Sequence, residues 1–193
     1  MDDKNRAIAA PCGLYCGACL VYRANKRGEN GVIEEMKKQA AKRIDELVED
    51  GRMKGMPPPA KGCDYSQLKK VVQEEEDYMC CEGCLSDVVA LPCRICGFRA
   101  CAQEKGITNC SECPEMPCQW VIDFKNDGIP HHADVLVNLE RQKEIGIDAW
   151  LAEQEKKWRC VQCGSMLAWY DAECPDCHAA QMHTYGASPF STK

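Results

Sequence analysis

The chain of 193 residues carries 24 Lys and Arg against 30 Asp and Glu, a formal charge of -6, and 17 cysteines. No stretch approaches the roughly 18 apolar residues that a membrane span needs, and the opening MDDKNRAIAAP lacks the basic and apolar regions of a secretory signal, so no membrane is expected and the cytoplasm is the expected location. Leu, Ile, Val and Phe total 33 residues, about 17%, below the roughly 20% that an ordinary charged domain needs; something besides apolar burial must help to fold the chain.

Thiols are the surplus that matches this shortage. Their number is odd, no export signal accompanies them, and they recur as C-x2-C pairs, which reads as metal ligation rather than a disulfide framework. A structural metal site in a cysteine domain supplies on the order of 10 kcal/mol of folding energy. Four tetrathiolate sites would bring the net charge to about -14. That makes nucleic acid a poor partner and favours a protein partner, such as a redox enzyme or complex, steered by an acidic surface.

From the N-terminus, Cys12, Cys16 and Cys19 form C-x3-C-x2-C and lead into Leu20, Val21 and Tyr22, where a short helix is expected; a helix N-terminus favours neighbouring thiolates. The spacing is that of an iron–sulfur loop, including the loop of radical S-adenosylmethionine enzymes. Against that enzyme class, Ala18 stands where those enzymes usually place an aromatic, and no strand–helix alternation long enough for a barrel follows. Residues 33–50 place Ile33, Met36, Ala40, Ile44, Leu47 and Val48 at helical spacing, predicting an amphipathic helix. Proline and glycine in 51–62 predict a loop, with Met53 and Met56 scattered in it. A second helix is predicted over 66–79, with Glu74, Glu75 and Glu76 on its solvated face. It delivers the chain to the knuckle Cys81 and Cys84, beside which Cys80 is an extra neighbour, so that either Cys80 or Cys81 is spare, with a vicinal disulfide as the alternative.

The centre of the sequence is CRICGFRACAQEKGITNCSECPEMPC, which holds C-x2-C-x4-C twice: Cys93, Cys96, Cys101 and then Cys110, Cys113, Cys118. A short helix ended by Gly106 is expected between the halves, and another after Cys118, ended by Gly128. His131 and His132 lie in an expected turn. Two helices over 134–145 and 148–158, the second capped by Asp148, read as a spacer that packs on the cysteine domain and carries the next module. Cys160, Cys163, Cys174 and Cys177 then give C-x2-C-x10-C-x2-C, the pattern of a zinc ribbon or a rubredoxin-type iron site. Gly164 and Pro175 suit either, His178 is a neighbour of an already complete shell, and the small polar tail predicts fraying.

Thirteen cysteines precede residue 130. Three tetrathiolate sites would use the nine triad thiols, Cys81 and Cys84, and either Cys63 or Cys80. Facing knuckles would suit zinc but strand five thiols; triads with a remote fourth ligand use the set more fully and are the grammar of [4Fe–4S] clusters. Spacing alone leaves both metals open.

The blocks PCGLYCGAC, CEGC and CRICGFRACAQEKGITNCSECPEMPC, together with the terminal module, resemble an uncharacterised cysteine-rich family met chiefly in anaerobic bacteria and archaea, over residues from about 9 to 125. The resemblance implies metal binding and an anaerobic setting, and supplies no reaction.

The expected architecture is therefore a small α-rich, metal-stabilised domain with little sheet over 9–130. A helical spacer follows over 131–158, then a tetracysteine β ribbon over 159–179 and a flexible tail over 180–193. The expected ligands are Cys12, Cys16, Cys19, Cys81, Cys84, Cys93, Cys96, Cys101, Cys110, Cys113 and Cys118 for iron–sulfur clusters or zinc, and Cys160, Cys163, Cys174 and Cys177 for zinc, with iron as the alternative. The expected role is that of an iron–sulfur electron-transfer or redox accessory protein that is not an enzyme by itself; a zinc scaffold mediating protein contacts is the alternative. No Ser-His-Asp pattern, phosphate loop or dinucleotide fingerprint occurs.

Overall fold

A computed structural model describes residues 6–50, 60–61 and 66–186. Most of the loop expected over 51–62, with Met53 and Met56, lies outside the described residues, as do Cys63 and the end of the tail, 187–193. In chain order the helices are α1 (Leu20–Arg27), α2 (Asn30–Asp50), α3 (Ser66–Glu74), α4 (Leu91–Arg94), α5 (Gly97–Glu104), α6 (Gln119–Lys125), α7 (Val135–Ile145) and α8 (Ile147–Lys157). Short 3-10 turns at Cys16–Ala18, Cys110–Glu112 and Pro130–Asp134 join them.

The cysteine pairs set this layout. In three of the pairs the second cysteine's amide reaches back to the carbonyl of the first: Cys19 to Cys16 at 2.9 Å, Cys96 to Cys93 at 3.4 Å and Cys113 to Cys110 at 3.1 Å. After the first two of these turns the chain leaves extended and starts a helix, so that Cys19 and Cys96 stand as the N-cap residues of α1 and α5, and Cys118 is likewise the N-cap residue of α6. Thiols thus gather at helix N-termini, where the partial positive charge of the free amides favours a thiolate.

Two helix expectations need correction. The helix predicted over 66–79 stops at Glu74: the acidic run of Glu74, Glu75 and Glu76 opposes the dipole at a helix C-terminus. Tyr78 and Met79 are instead buried in the turn that follows, held by Tyr78 Oη donating to the Lys37 carbonyl at 2.9 Å and by Asn25 Nδ2 donating to the Met79 carbonyl at 3.0 Å. The N-cap of α8 is Gly146, not Asp148; Asp148 lies in the first turn and pairs with Arg6 at 2.7 Å.

The interior is divided among small cores in which thiols fill places that aliphatic side chains usually take. Cys12, Cys16, Cys84 and Cys96 pack with Phe98, Val121, Phe124, Val135 and Leu139. Ile44, Leu68, Tyr78, Met79, Cys81, Ala90 and Leu91 join α2, α3 and α4. Ala9, Tyr15, Ala18, Trp150, Leu151 and Trp158 form a third core. The segment read as a spacer therefore completes two cores: α7 contributes Val135 and Leu139 to the first, and α8 contributes Trp150 and Leu151 to the third.

At the C-terminal end the expected β ribbon is reduced to two isolated antiparallel bridges, Arg159 with Met166 and Glu173 with Ala180, and no strand longer than such a bridge occurs among the described residues. Each knuckle closes within a few residues, by Cys160 N to Ser165 O at 2.9 Å and Cys174 N to Ala179 O at 2.9 Å. That leaves room for a single bridging pair outside each turn. The chain between the knuckles is used for docking instead: Trp169 N donates to the Ala18 carbonyl at 2.9 Å, and Tyr185 N to the Trp169 carbonyl at 2.8 Å. In the segment after the second knuckle Gln181 is buried and Tyr185 lies against Trp158, while Met182 is exposed.

Candidate metal centres

The C-terminal knuckles bring the sulfurs of Cys160, Cys163, Cys174 and Cys177 within 4.8 Å of one another, with Cys160 to Cys177 at 3.6 Å and Cys163 to Cys174 at 3.5 Å. A tetrahedral ion with metal–sulfur bonds of about 2.3 Å requires sulfurs about 3.8 Å apart, so these four thiols stand at the spacing of a single ion. Cys160 and Cys174 face inward; Cys163 and Cys177 are exposed. The amide of Cys163, followed by that of Gln162, pulls the Cys160 thiol down to about 6. The Ser165 hydroxyl, 3.3 Å from Cys163 Sγ, lowers that thiol in turn. Cys177 is held up at about 12: the Ala179 amide opposes the rise, but burial and the neighbouring Cys163 and Cys160 sulfurs outweigh it. Gln181 Nε2 donates to Cys160 Sγ at 3.5 Å. Four thiols at this spacing form a donor set that could hold a metal ion.

The N-terminal thiols lie differently. Among the described residues, no further set of three ligand atoms from Cys, His, Asp or Glu reaches the mutual spacing of the C-terminal four. Cys16 and Cys84 share a side-chain hydrogen bond, as do Cys84 and Cys93. Burial pushes the Cys12 thiol far above the ordinary range, with Cys96 adding to the rise, and pushes Cys19 to about 12, with Cys81 adding to it. Burial likewise raises Cys96 to about 11, against the amides of Arg99 and Phe98. Burial raises Cys110 to about 12 with help from Cys118, Cys101 and Cys113. Crowded buried sulfurs can ionise together only if a positive centre sits among them. Cys80 is half-buried.

Two glycines let the chain approach these thiols. Gly13, after Cys12, has φ +89°, and a Cβ there would stand 2.8 Å from Leu139 Cγ and 2.9 Å from the Val135 carbonyl. Gly83, inside the Cys81–Cys84 knuckle, has φ +118°, and a Cβ would stand 2.5 Å from the Ala7 carbonyl oxygen. Only glycine fits either position.

His131 and His132 are packing residues. His131 stacks on Trp169 with ring centroids 3.9 Å apart, and its Nδ1 lies 2.6 Å from Tyr170 Oη; burial, with His132 adding, drives its pKa down to about 2. His132 Nδ1 lies 2.9 Å from Asp127 Oδ2, and burial lowers its pKa despite that carboxylate.

Several residues around the sites escaped the sequence reading. Arg23 is 5% exposed and pairs with Asp171 and, at 3.2 Å, with Glu29. Arg27 Nη1 reaches Asp176 at 3.0 Å, inside the second knuckle, and Asp176 also accepts from Ser165 in the first. Lys105 Nζ lies 3.5 Å from Cys113 Sγ. The placement of Asp176 between Cys174 and Cys177 was the one local signal; the other partners lie too far apart in sequence to be paired by spacing.

Comparison with curated proteins and with solved structures finds no match. A family model described as "Protein of unknown function (DUF3795)" matches residues 8–123, a span that runs from before Cys12 to beyond Cys118 and stops short of the tetracysteine module. The chain therefore belongs to the DUF3795 family, with a tetracysteine module following the family domain.

Proposed function

We propose that this protein is an iron–sulfur redox accessory, in which the thiols between Cys12 and Cys118 hold [4Fe–4S] clusters and Cys160, Cys163, Cys174 and Cys177 hold one zinc ion. The observation that carries the reading is the contrast between the two thiol populations: the C-terminal four stand at single-ion spacing, whereas the N-terminal thiols are gathered in the cores without any three at that spacing among the described residues. A cubane cluster needs more room between its ligands than one ion does, and triads with a remote fourth thiol are its usual ligand grammar. Such clusters supply one-electron chemistry when bound. The excess of carboxylates over basic side chains supports a protein partner over nucleic acid, and the chain acts on that partner's behalf rather than as an enzyme by itself.

A zinc scaffold is the second reading, favoured by the C-terminal set, whose four ligands leave no open position. Anaerobic purification separates the two. The proposal expects a brown protein with broad absorption near about 400 nm and a paramagnetic signal that appears on reduction; a colourless protein holding only zinc would defeat it.

A further inference from the structure

We infer that Cys101, Cys110, Cys113 and Cys118 form one four-thiolate site, closed on itself and occupied by a [4Fe–4S] cluster, while Cys93 and Cys96 belong with the thiols of Cys12–Cys19 and Cys81–Cys84. The inference rests on the reading above that the N-terminal thiols bind metal, and it divides them in a way that the sequence repeat does not: one half of the repeat lends its last cysteine to the other.

The packing of three elements carries it. Cys101 lies on α5 one helical turn after Phe98, and residues three apart share a helix face. Phe98 packs edge-on against Trp120 at 6.2 Å and against Phe124 at 5.2 Å, both on α6, and Cys118 is the residue that opens α6. Cys110 and Cys113 are tied in one turn by Cys113 N to Cys110 O at 3.1 Å. Lys105, whose backbone N–H donates a hydrogen bond to the Cys101 carbonyl at 3.0 Å, approaches from the other side: its ammonium lies 3.5 Å from Cys113 Sγ and 2.9 Å from Glu115. The aromatic contacts pack the helix that carries Cys101 against the helix that Cys118 opens, and Lys105, one turn on from Cys101, reaches Cys113.

Cys96 by contrast is buried in one core with Cys12, Cys16 and Cys84, and Cys93 lies beside Cys84. All four thiols of the proposed site are half-buried, so the site lies near the surface, and the ammonium of Lys105 offsets part of the negative charge that four thiolates bring. The ligand set is then a triad, Cys110, Cys113 and Cys118, with its fourth thiol supplied from the neighbouring triad, the crossover seen in two-cluster ferredoxins.

The test is the metal content of anaerobically purified full-length variants. Cys101→Ser and Cys118→Ser should each lose about four irons, and the double variant should lose no more than either single one. Pairing Cys118→Ser with Cys93→Ser should remove two such increments. Additive losses in the Cys101/Cys118 pair, or no loss in Cys101→Ser, would overturn the grouping; increments of a single zinc ion would uphold the grouping and overturn the cluster. A wild-type protein with no metal beyond the C-terminal ion would defeat the broader proposal instead. Because a variant can fail to fold, a second measurement uses the wild-type chain: during stepwise metal removal, alkylation should reach the four thiols in one step, separate from Cys93 and Cys96. Reaction of Cys101 together with Cys93 and Cys96 would contradict the grouping.

Discussion

His178 and Gly164 hold equivalent places in the C-terminal knuckles, each four residues after the first cysteine of its pair. Each donates its amide back to that cysteine's carbonyl, at 2.8 Å for Gly164 and 3.0 Å for His178, and each has positive φ, +77° and +59°. The left-handed conformation costs a residue with a Cβ about 1–2 kcal/mol, part of which glycine returns through its larger loss of backbone freedom on folding. His178 joins no ligand set among the described residues, so removing its ring should cost the site nothing. His178→Gly should therefore raise the free energy of unfolding of the metal-loaded protein by about 0.5–1 kcal/mol, read from the denaturation midpoint, with metal content unchanged. A lower midpoint or a lost ion would mean that the imidazole serves the site.

At the scale of elements, α1 joins the two kinds of site. It begins at Cys19 and carries Arg23 and Arg27, which hold the C-terminal module through Asp171 and Asp176. Arg23 is buried, and a buried cation deprived of one partner is expensive, by about 3 kcal/mol. Asp171→Asn keeps the shape and an acceptor for the Ala168 amide, which Asp171 takes at 2.7 Å, but removes the charge. It should lower the unfolding free energy by about 3 kcal/mol, whereas Asp148→Asn, which weakens the exposed pair with Arg6, should cost less than about 1 kcal/mol. Equal effects in a denaturant titration of the two variants would show that the module is not latched in this way. This latch was not legible in the sequence: Arg23 and Asp171 are 148 positions apart, and each looks like an ordinary surface charge. The helices were legible, because amphipathic spacing and the turns at cysteine pairs are local. What the spacing of Val135, Leu139, Trp150 and Leu151 could not tell was which face meets which neighbour, and so a stretch that reads as a spacer completes two cores.

For the whole molecule, the C-terminal set was legible as a possible metal site because its four members lie in two adjacent knuckles. The division proposed for the N-terminal thiols was not, since it depends on how α5 and α6 pack through Phe98, Trp120 and Phe124. The same packing explains how a chain with so few aliphatic residues folds. Cysteines occupy core positions beside Phe98, Val121 and Leu139, and as thiolates they would repel one another unless a cation stood between them. On the proposed function metal and core are one structure, and metal removal should be felt by the helices as well as by the sites. The most direct test follows far-UV circular dichroism and thermal unfolding of the anaerobic protein before and after its metal is stripped under reducing conditions. With structural sites contributing on the order of 10 kcal/mol each, stripping should abolish most of the helical signal and the cooperative transition, and a reduced, metal-free chain that keeps the same ellipticity and the same melting temperature would contradict this account.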